Sequence, residues 1–98
     1  MAIKQTAVFT RPSTSIDWPE LPEAFREKCQ YYFSTGKRYI QSNIISEDKL
    51  TQTVITIFDS EASRFDFIEE SIVQDYINDR DTYCIENDIE LTRNLEDI

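Results

Sequence analysis

The chain has 98 residues, 40% of them apolar and 30% charged, which predicts one folded domain spanning residues 1–98. Ten basic against 19 acidic side chains give a net charge of −9, which argues against binding to nucleic acid or an anionic membrane. There is no histidine and only one glycine. This composition excludes Ser-His-Asp and Cys-His catalysis, His-ligated zinc and glycine-rich phosphate loops.

Compartment and covalent chemistry follow from two further features. No apolar run reaches the length of a signal or a membrane span, so we expect a cytoplasmic protein. Cys29 and Cys84 lie among aromatic and apolar residues without a Cys-x-x-Cys pattern. We expect both to be reduced and unbonded, a single disulfide or one redox-active thiol being the alternatives. No residue pattern marks a metal or cofactor site.

The first half of the chain predicts a strand, a loop and a helix. Residues 3–10 alternate loosely and are rich in β-formers, and a polar, proline-containing loop follows. Proline and acidic residues around Pro22 are typical of a helix start, and Gly36 fits a left-handed helix end. The apolar positions at helical spacing between them are Leu21, Phe25, Cys29, Tyr32 and Phe33.

Two strands come next, over residues 39–46 and 50–58, joined by the polar link 47–49. The second strand carries Leu50, Val54 and Phe58 on one face and Ile55 and Ile57 on the other. Because both faces hold apolar residues, we expect this hairpin to lie at the centre of the sheet.

The second half predicts a broken helix and a last strand. Ser60 fits a helix N-cap, and helical spacing then continues over residues 61–87, with a bend expected near Glu70 and Ser71. Asn87 and Asp88 form a polar stop. Residues 89–95 alternate, which predicts a strand with one buried and one exposed face.

The resulting order β-α-β-β-α-β favours a ferredoxin-like α+β fold, in which both helical segments cover one face of a four-stranded antiparallel sheet. The other face stays uncovered although its strands supply apolar residues to it. A second copy of the chain is the simplest cover, so we expect a homodimer.

The second half also resembles a known family. The segments that carry the resemblance are residues 53–60, 65–68, 71–76 and 80–89, ending in Arg80-Asp81-Thr82-Tyr83-Cys84-Ile85-Glu86-Asn87-Asp88-Ile89. Over about residues 37–95 this pattern is similar to dimeric α+β-barrel domains related to the antibiotic-biosynthesis monooxygenases, with Asp88 where that family usually has glycine. The resemblance implies a dimeric α+β barrel. The family's active members use Asn, Trp or His near the sheet, and no position here matches, so no catalytic residue is assigned. The composition also resembles that of small proteins from marine tailed phages.

Charge is distributed unevenly along the chain. Residues 1–49 carry 7 basic and 6 acidic side chains, a net charge of +1, whereas residues 50–98 carry 3 and 13, a net charge of −10. The candidate acidic partner surface consists of Asp66, Glu70, Asp75 and Asp79. A solvated helix face that keeps the protein soluble is one interpretation. The alternatives are a basic protein partner or mimicry of nucleic-acid charge, a divalent-cation site and a carboxylate acid/base pair.

Aromatic residues form a second candidate site, a ligand cavity between helices and sheet lined by Trp18, Phe25, Tyr32, Phe65 and Tyr76. Ordinary core filling is the alternative, with Trp18 as a plug over the open end of the core. Lys37 and Arg38 could contact phosphate, but their place after a helix is better explained by the helix dipole.

Two functional hypotheses remain. The first is a non-catalytic homodimer that acts through protein–protein contacts, such as a phage accessory protein. The second is a cofactor-free monooxygenase-like or small-ligand-binding protein. An open cavity lined by Tyr and Phe around a buried polar atom would favour the second, and a filled core with a paired sheet would favour the first.

Overall fold

The computed structural model describes residues 1–98 as one four-stranded antiparallel sheet with three helices. The elements are β1 (Ile3–Thr10), α1 (Glu23–Ser34), β2 (Arg38–Ile45), β3 (Thr51–Phe58), α2 (Glu61–Glu69), α3 (Ser71–Glu86) and β4 (Glu90–Asp97). The strand order is β2-β3-β1-β4, and every neighbouring pair is antiparallel. This is the predicted ferredoxin-like α+β fold.

Local sequence explains where the helices begin and end. Gly36 follows α1 with φ 74°, a left-handed conformation that glycine adopts without a Cβ clash. The Oγ of Ser60 accepts a hydrogen bond from the backbone N–H of Ser63 at 3.1 Å and so caps α2. Glu70 is extended (φ −61°, ψ 131°) and separates α2 from α3, which confirms the predicted bend. Asp88 is left-handed (φ 56°) at the position where the resembling family has glycine.

The prediction that the hairpin lies at the centre of the sheet is wrong for one of its two strands. β3 is interior, but β2 is an edge strand because β1 inserts on the other side of β3. The apolar residues Ile40, Ile44 and Ile45 of β2 are therefore exposed. In this sheet, a strand with apolar residues on both faces is an edge strand that the helices do not cover. It is not a buried strand.

β4 also differs from the expectation of one buried face. Ile89, the buried residue of that pattern, precedes the strand, Leu91 is half-buried, and Leu95 is 46% exposed. The helices cover the inner strands β1 and β3, and β4 extends beyond them at the second edge of the sheet.

The core lies between helices and sheet in two clusters. The first contains Ile3, Phe25, Tyr32, Phe58, Phe67 and Val73. The second contains Ala7, Phe9, Cys84 and Ile89. Cys84 is buried and Cys29 half-buried, and no disulfide joins them. None of the helices combines the length and the apolar character needed to cross a membrane.

Candidate functional site

Three of the five predicted cavity residues lie together in the first core cluster. The rings of Phe25 and Tyr76 stack with centroids 3.9 Å apart. Tyr32 packs edge-on against Phe67 at 5.1 Å, and Phe25 packs against the same ring at 6.0 Å. These aromatic side chains pack on one another and fill the space between α1, α2 and α3.

The other two predicted cavity residues lie elsewhere. Trp18 packs against the second cluster, and the guanidinium of Arg11 lies 4.2 Å from its ring centroid. Its loop is fixed by the hydroxyl of Tyr83, which donates to the carbonyl of Asp17 at 2.7 Å. This placement agrees with Trp18 as a plug. Phe65 lies on α2 with 45% of its surface exposed. The five residues therefore do not line one cavity.

Arg38 occupies a place that the sequence did not predict. It is the first residue of β2 and turns toward the helices, in register with Phe58 of β3. Its guanidinium carbon lies 4.6 Å from the ring centroid of Phe67 and 5.8 Å from that of Phe58. The helix dipole alone does not account for this arginine, because the start of β2 directs its side chain into the aromatic cluster.

The surroundings of Arg38 are short of negative charge. Burial lowers its pKa, while the Cys29 thiol and the Tyr76 hydroxyl nearby act in the opposite direction. Burial also raises the pKa of Cys29, although Arg38 acts to lower it. The Nε of Arg38 is buried without a hydrogen-bond acceptor. The ion pairs of the chain are Lys4–Glu96, Lys28–Glu70 and Arg80–Asp81, so Arg38 has no carboxylate within 4 Å.

An acidic groove of about 400 Å³ opens to solvent beside the end of α1. We call it the acidic groove. It is lined by Tyr31, Tyr32, Lys37, Asp66, Glu69 and Glu70. The Tyr32 hydroxyl donates to Oε2 of Glu70 at 3.1 Å, and Nζ of Lys28 lies 3.5 Å from the same oxygen. Burial, followed by the hydrogen bond to Glu70, raises the pKa of Tyr32 to about 12.

The four predicted acidic residues separate into two pairs. Asp66 and Glu70 line the acidic groove together with Glu69. Asp75 and Asp79 are exposed on α3 and do not line that groove. No three His, Cys, Asp or Glu side chains come close enough together to hold a metal ion.

The sheet face opposite the helices, here called the open face, is the third candidate site. Strand register places Ile55 and Ile57 on the face opposite to Val54 and Phe58, as the sequence predicted. The apolar residues of the open face are Val8, Tyr39, Ile44, Ile55 and Ile57. Of these, Ile44 is 63% exposed and Tyr39 46%, Val8 and Ile55 are half-buried, and Ile57 is only 4% exposed. This apolar surface is concentrated on β2 and β3, whereas Lys4 and Glu96 pair at 3.7 Å across β1 and β4.

Comparison with known proteins supports the fold. No protein-family model and no curated protein matches the chain. In structure the chain is similar to an antibiotic biosynthesis monooxygenase-like protein from Deinococcus radiodurans, with a TM-score of 0.54 and 10% sequence identity. The superposition covers 100% of this chain and 92% of that one. At this level of identity the likeness establishes a shared ferredoxin-like α+β fold and nothing further.

Sequence reasoning missed three side chains that the structure places at these sites: Arg11, Lys28 and Arg38. The alternation of side chains along β2 is the signal that could have placed Arg38. Arg38 is two residues before Ile40 and therefore lies on the same face, toward the helices. Arg11 and Lys28 carry no such signal, since their partners lie 38 and 42 positions away along the chain.

Proposed function

We propose that this protein is a non-catalytic homodimer in which the open faces of two copies pack together. The observation that supports this is the apolar surface formed by Tyr39, Ile44 and Ile55 on a sheet whose opposite face is already covered by helices. A large apolar patch exposed to water is unfavourable, and a second copy supplies a matching patch through two-fold symmetry.

The filled aromatic cluster supports a non-catalytic role. The stacking of Phe25 on Tyr76 at 3.9 Å leaves these two rings as packing partners of each other. No two groups are arranged as nucleophile and base. Arg80 is buried and forms an ion pair at 3.1 Å with Asp81, whose side chain is 41% exposed, and the half-buried Arg38 forms no ion pair. This domain then acts through contacts with other proteins. Its composition favours the role of a phage accessory protein.

A matched pair of variants tests the dimer. Ile44→Glu places a charge on the most exposed apolar residue of the open face, where burial against a second copy would be costly. We expect sedimentation velocity to show a monomer for this variant and a dimer for the parent protein. Ile85→Glu is the control, since Ile85 is 78% exposed on α3, on the helix side. A dimer that survives Ile44→Glu, or one that Ile85→Glu disrupts, would contradict the proposed interface.

We further propose that the acidic groove accepts a basic segment of a partner protein. Asp66 and Glu69 supply negative charge that no ion pair of the chain neutralises, and Tyr31 presents an exposed ring on which a cationic side chain can pack. The groove is open to solvent, so an extended segment can reach it without movement of the core.

This second contact is tested with a lysine-rich peptide. The double variant Asp66→Asn/Glu69→Gln removes two charges inside the groove, and Asp75→Asn/Asp79→Asn removes two charges on α3 outside it. We expect the first variant to weaken peptide binding measured by fluorescence anisotropy, and more strongly than the second at the same ionic strength. Equal weakening by both would show that only net charge matters and that the groove is not a site.

Small-ligand binding is the second candidate function, and one observation favours it. The guanidinium of Arg38 is a polar group set among Phe58, Phe67 and Tyr76, between the helices and the sheet. A monooxygenase-like activity is supported by fold likeness alone. Binding of a ligand without chemistry is compatible with the filled core, provided that the ligand meets Arg38 from the solvent side.

A further inference from the structure

The two edge strands of the sheet differ in how their free edges are protected. β4 carries a charged side chain at four of its eight positions, Glu90, Arg93, Glu96 and Asp97. β2 has a single charge, at its first residue, and its exposed apolar side chains are Tyr39, Ile40, Ile44 and Ile45. Charged side chains commonly keep an edge strand from pairing with another chain, so β4 is protected in this way and β2 is not.

A bulge interrupts the pairing of β2 with β3. Ile40 lies opposite Thr56 and Ser42 lies opposite Ile55, so Gln41 is an extra residue without a partner on β3. Backbone and side-chain directions alternate regularly on each side of Gln41, but the two halves of the strand are out of step by one residue.

Hydrogen bonds at the two ends of β2 fix the direction of its backbone groups. The backbone N–H of Asp59 donates to the carbonyl of Lys37 at 3.0 Å, and that of Ser46 donates to the carbonyl of Thr51 at 2.9 Å. In an antiparallel pair, residues bonded to the neighbouring strand alternate with residues whose N–H and C=O groups point away from it. Counted inward from both ends, the residues of β2 that point away from β3 are Arg38, Ile40, Asn43 and Ile45.

These outward residues are placed symmetrically about the bulge. When a second β2 is laid antiparallel over the whole length of the first, Arg38 lies opposite Ile45 of the second copy. Ile40 likewise lies opposite Asn43 of the second copy, so every outward residue meets another outward residue and their N–H and C=O groups can pair. Without the extra residue, the eight-residue strand aligned in this way would be out of phase with itself by one position.

The side chains match in the same register. Tyr39 lies opposite Ile44 of the second copy, and the bulge places both of these side chains on the open face. Pairs of an aromatic and a β-branched residue stabilise neighbouring antiparallel strands. The only charge of the strand, on Arg38, lies at opposite ends of the two copies, so the pairing brings no like charges together.

We propose that two copies of this chain pair through β2, antiparallel and centred on the bulge, so that their four-stranded sheets join into one sheet. This contact goes beyond the proposed homodimer, because it uses backbone groups at the sheet edge, whereas packing of the open faces uses side chains perpendicular to the sheet. One pair of strands buries little surface, so the edge contact forms between open-face dimers at a higher concentration than those dimers need.

The test uses a mixture of isotope-labelled and unlabelled full-length chains at NMR concentrations. In the proposed register the Hα atoms of Tyr39 and Ile44 from the two copies are neighbours, because they belong to a non-hydrogen-bonded pair. Within one chain the same residues are separated by roughly 16 Å of extended strand, and packed open faces lie about 10 Å apart. We therefore expect a nuclear Overhauser effect between these two Hα atoms that joins labelled to unlabelled chains.

Amide hydrogen exchange gives an independent measurement. The N–H groups of Ile40 and Asn43 should exchange more slowly as the protein concentration rises, because the second copy supplies acceptors for them. Arg93 is the internal control, since counting from the hydrogen bond between the Ile98 N–H and the Ala2 carbonyl shows that it points outward on β4. Its exchange should not depend on concentration.

A matched pair of variants completes the test. Asn43→Pro removes one outward N–H and leaves the bonds to β3 in place, a position at which edge strands tolerate proline. Asn43→Ala keeps the N–H and is the control, because both variants lose the side-chain carbonyl that accepts from Gln52 at 2.9 Å. We expect Asn43→Pro to abolish the intermolecular Overhauser effect and the concentration-dependent protection, and Asn43→Ala to retain both.

Three results would overturn the edge contact: no Overhauser effect between Tyr39 and Ile44 of different chains, equal protection of Arg93, or pairing of Asn43→Pro as strong as that of Asn43→Ala. If Asn43→Pro does not fold, the Overhauser effect in the parent protein decides. The open-face homodimer is judged separately, by Ile44→Glu at micromolar concentration, so either contact can fail while the other stands.

Discussion

At the scale of single residues, three inward-facing arginines meet three different environments. Arg80 is paired with a carboxylate, Arg11 with two backbone carbonyls, and Arg38 with aromatic rings and a thiol. The three environments differ in their effect on the free energy of unfolding. Oxygen acceptors offset the lost hydration of Arg80 and Arg11, whereas Arg38 has no such acceptor. Arg11 also joins distant parts of the chain, since it binds the turn before β3 and the loop that carries Trp18.

Arg11→Met is therefore expected to destabilise the fold by about 1–3 kcal/mol, the usual cost of leaving buried hydrogen-bond groups without partners. The measurement is urea unfolding followed by far-UV circular dichroism. Arg26→Met is the matched control, because Arg26 is exposed on α1, and it should stay within about 0.5 kcal/mol of the parent. Equal stability of Arg11→Met and the parent would show that the two carbonyl contacts contribute nothing net.

Tyr32 makes stability depend on pH in the alkaline range. Its folded-state pKa is raised from 10.0 to about 12, so the folded protein retains the phenolic proton where the unfolded chain has lost it. The stabilisation is fully present below pH 10 and is lost as the pH rises through 10 toward 12. We expect Tyr32→Phe to show a smaller decrease in unfolding free energy between about pH 9 and pH 11 than the parent does. Tyr31→Phe, a change of an exposed tyrosine, should follow the parent, and a Tyr32→Phe protein that also does so would refute the raised pKa of Tyr32.

At the scale of elements, the break between α2 and α3 is decided by local chemistry. Ser60 caps α2, and the extended Glu70 ends its last turn and places its own carboxylate on Tyr32 and Lys28. The break could be predicted from the sequence because capping depends on residues within a few positions of each other. The destination of the Glu70 carboxylate could not, since its partners lie on α1, 38 and 42 positions earlier.

Ser60→Ala should lower the free energy of unfolding by about 1 kcal/mol, the usual effect of removing a capping oxygen. Thermal and urea unfolding measure this difference. Thr82→Ala serves as the control, because Thr82 is exposed in the middle of α3 and α3 does not depend on its hydroxyl. A Ser60→Ala protein as stable as the parent would indicate that water replaces the cap without loss.

The exposed acidic residues of α3 allow a complementary prediction. Asp75 and Asp79 lie one helical turn apart and repel each other weakly. The double variant Asp75→Lys/Asp79→Lys should keep its fold, with an unfolding free energy within about 0.5 kcal/mol of the parent in urea titrations. Loss of folding would mean that these side chains are buried, in conflict with their exposure in the structure.

The strands show where sequence patterns mislead. Alternation placed β1 correctly and assigned Ile55 and Ile57 to the face opposite Val54 and Phe58. It placed β2 in the interior of the sheet, although β2 is at the edge, because period-two patterns report which face a side chain occupies and not which strand lies beside it. The five aromatic residues of the candidate cavity lie apart for a similar reason. Trp18 and Phe65 are aromatic residues like the others, but the topology places them at the opposite end of the core and on the surface.

At the scale of the whole molecule, the surface has two parts. One is the apolar open face of the sheet, and the other is the acidic surface on the helix side. The helix side carries the exposed carboxylates Asp66, Glu69, Asp75 and Asp79, which keep like surfaces apart. The open face carries the exposed Tyr39 and Ile44, the half-buried Ile55 and the buried Ile57, and it has few charges on β2 and β3. Charge repulsion therefore disfavours association through the helices, and apolar burial favours association through the open face.

Sedimentation equilibrium of the parent protein at micromolar concentration tests the proposed dimer most directly. The open face predicts a species of twice 11.6 kDa, and the dimer should persist in high salt because apolar contacts are not screened as charge contacts are. A single species of 11.6 kDa across the concentration range would contradict the proposed dimer and the function built on it.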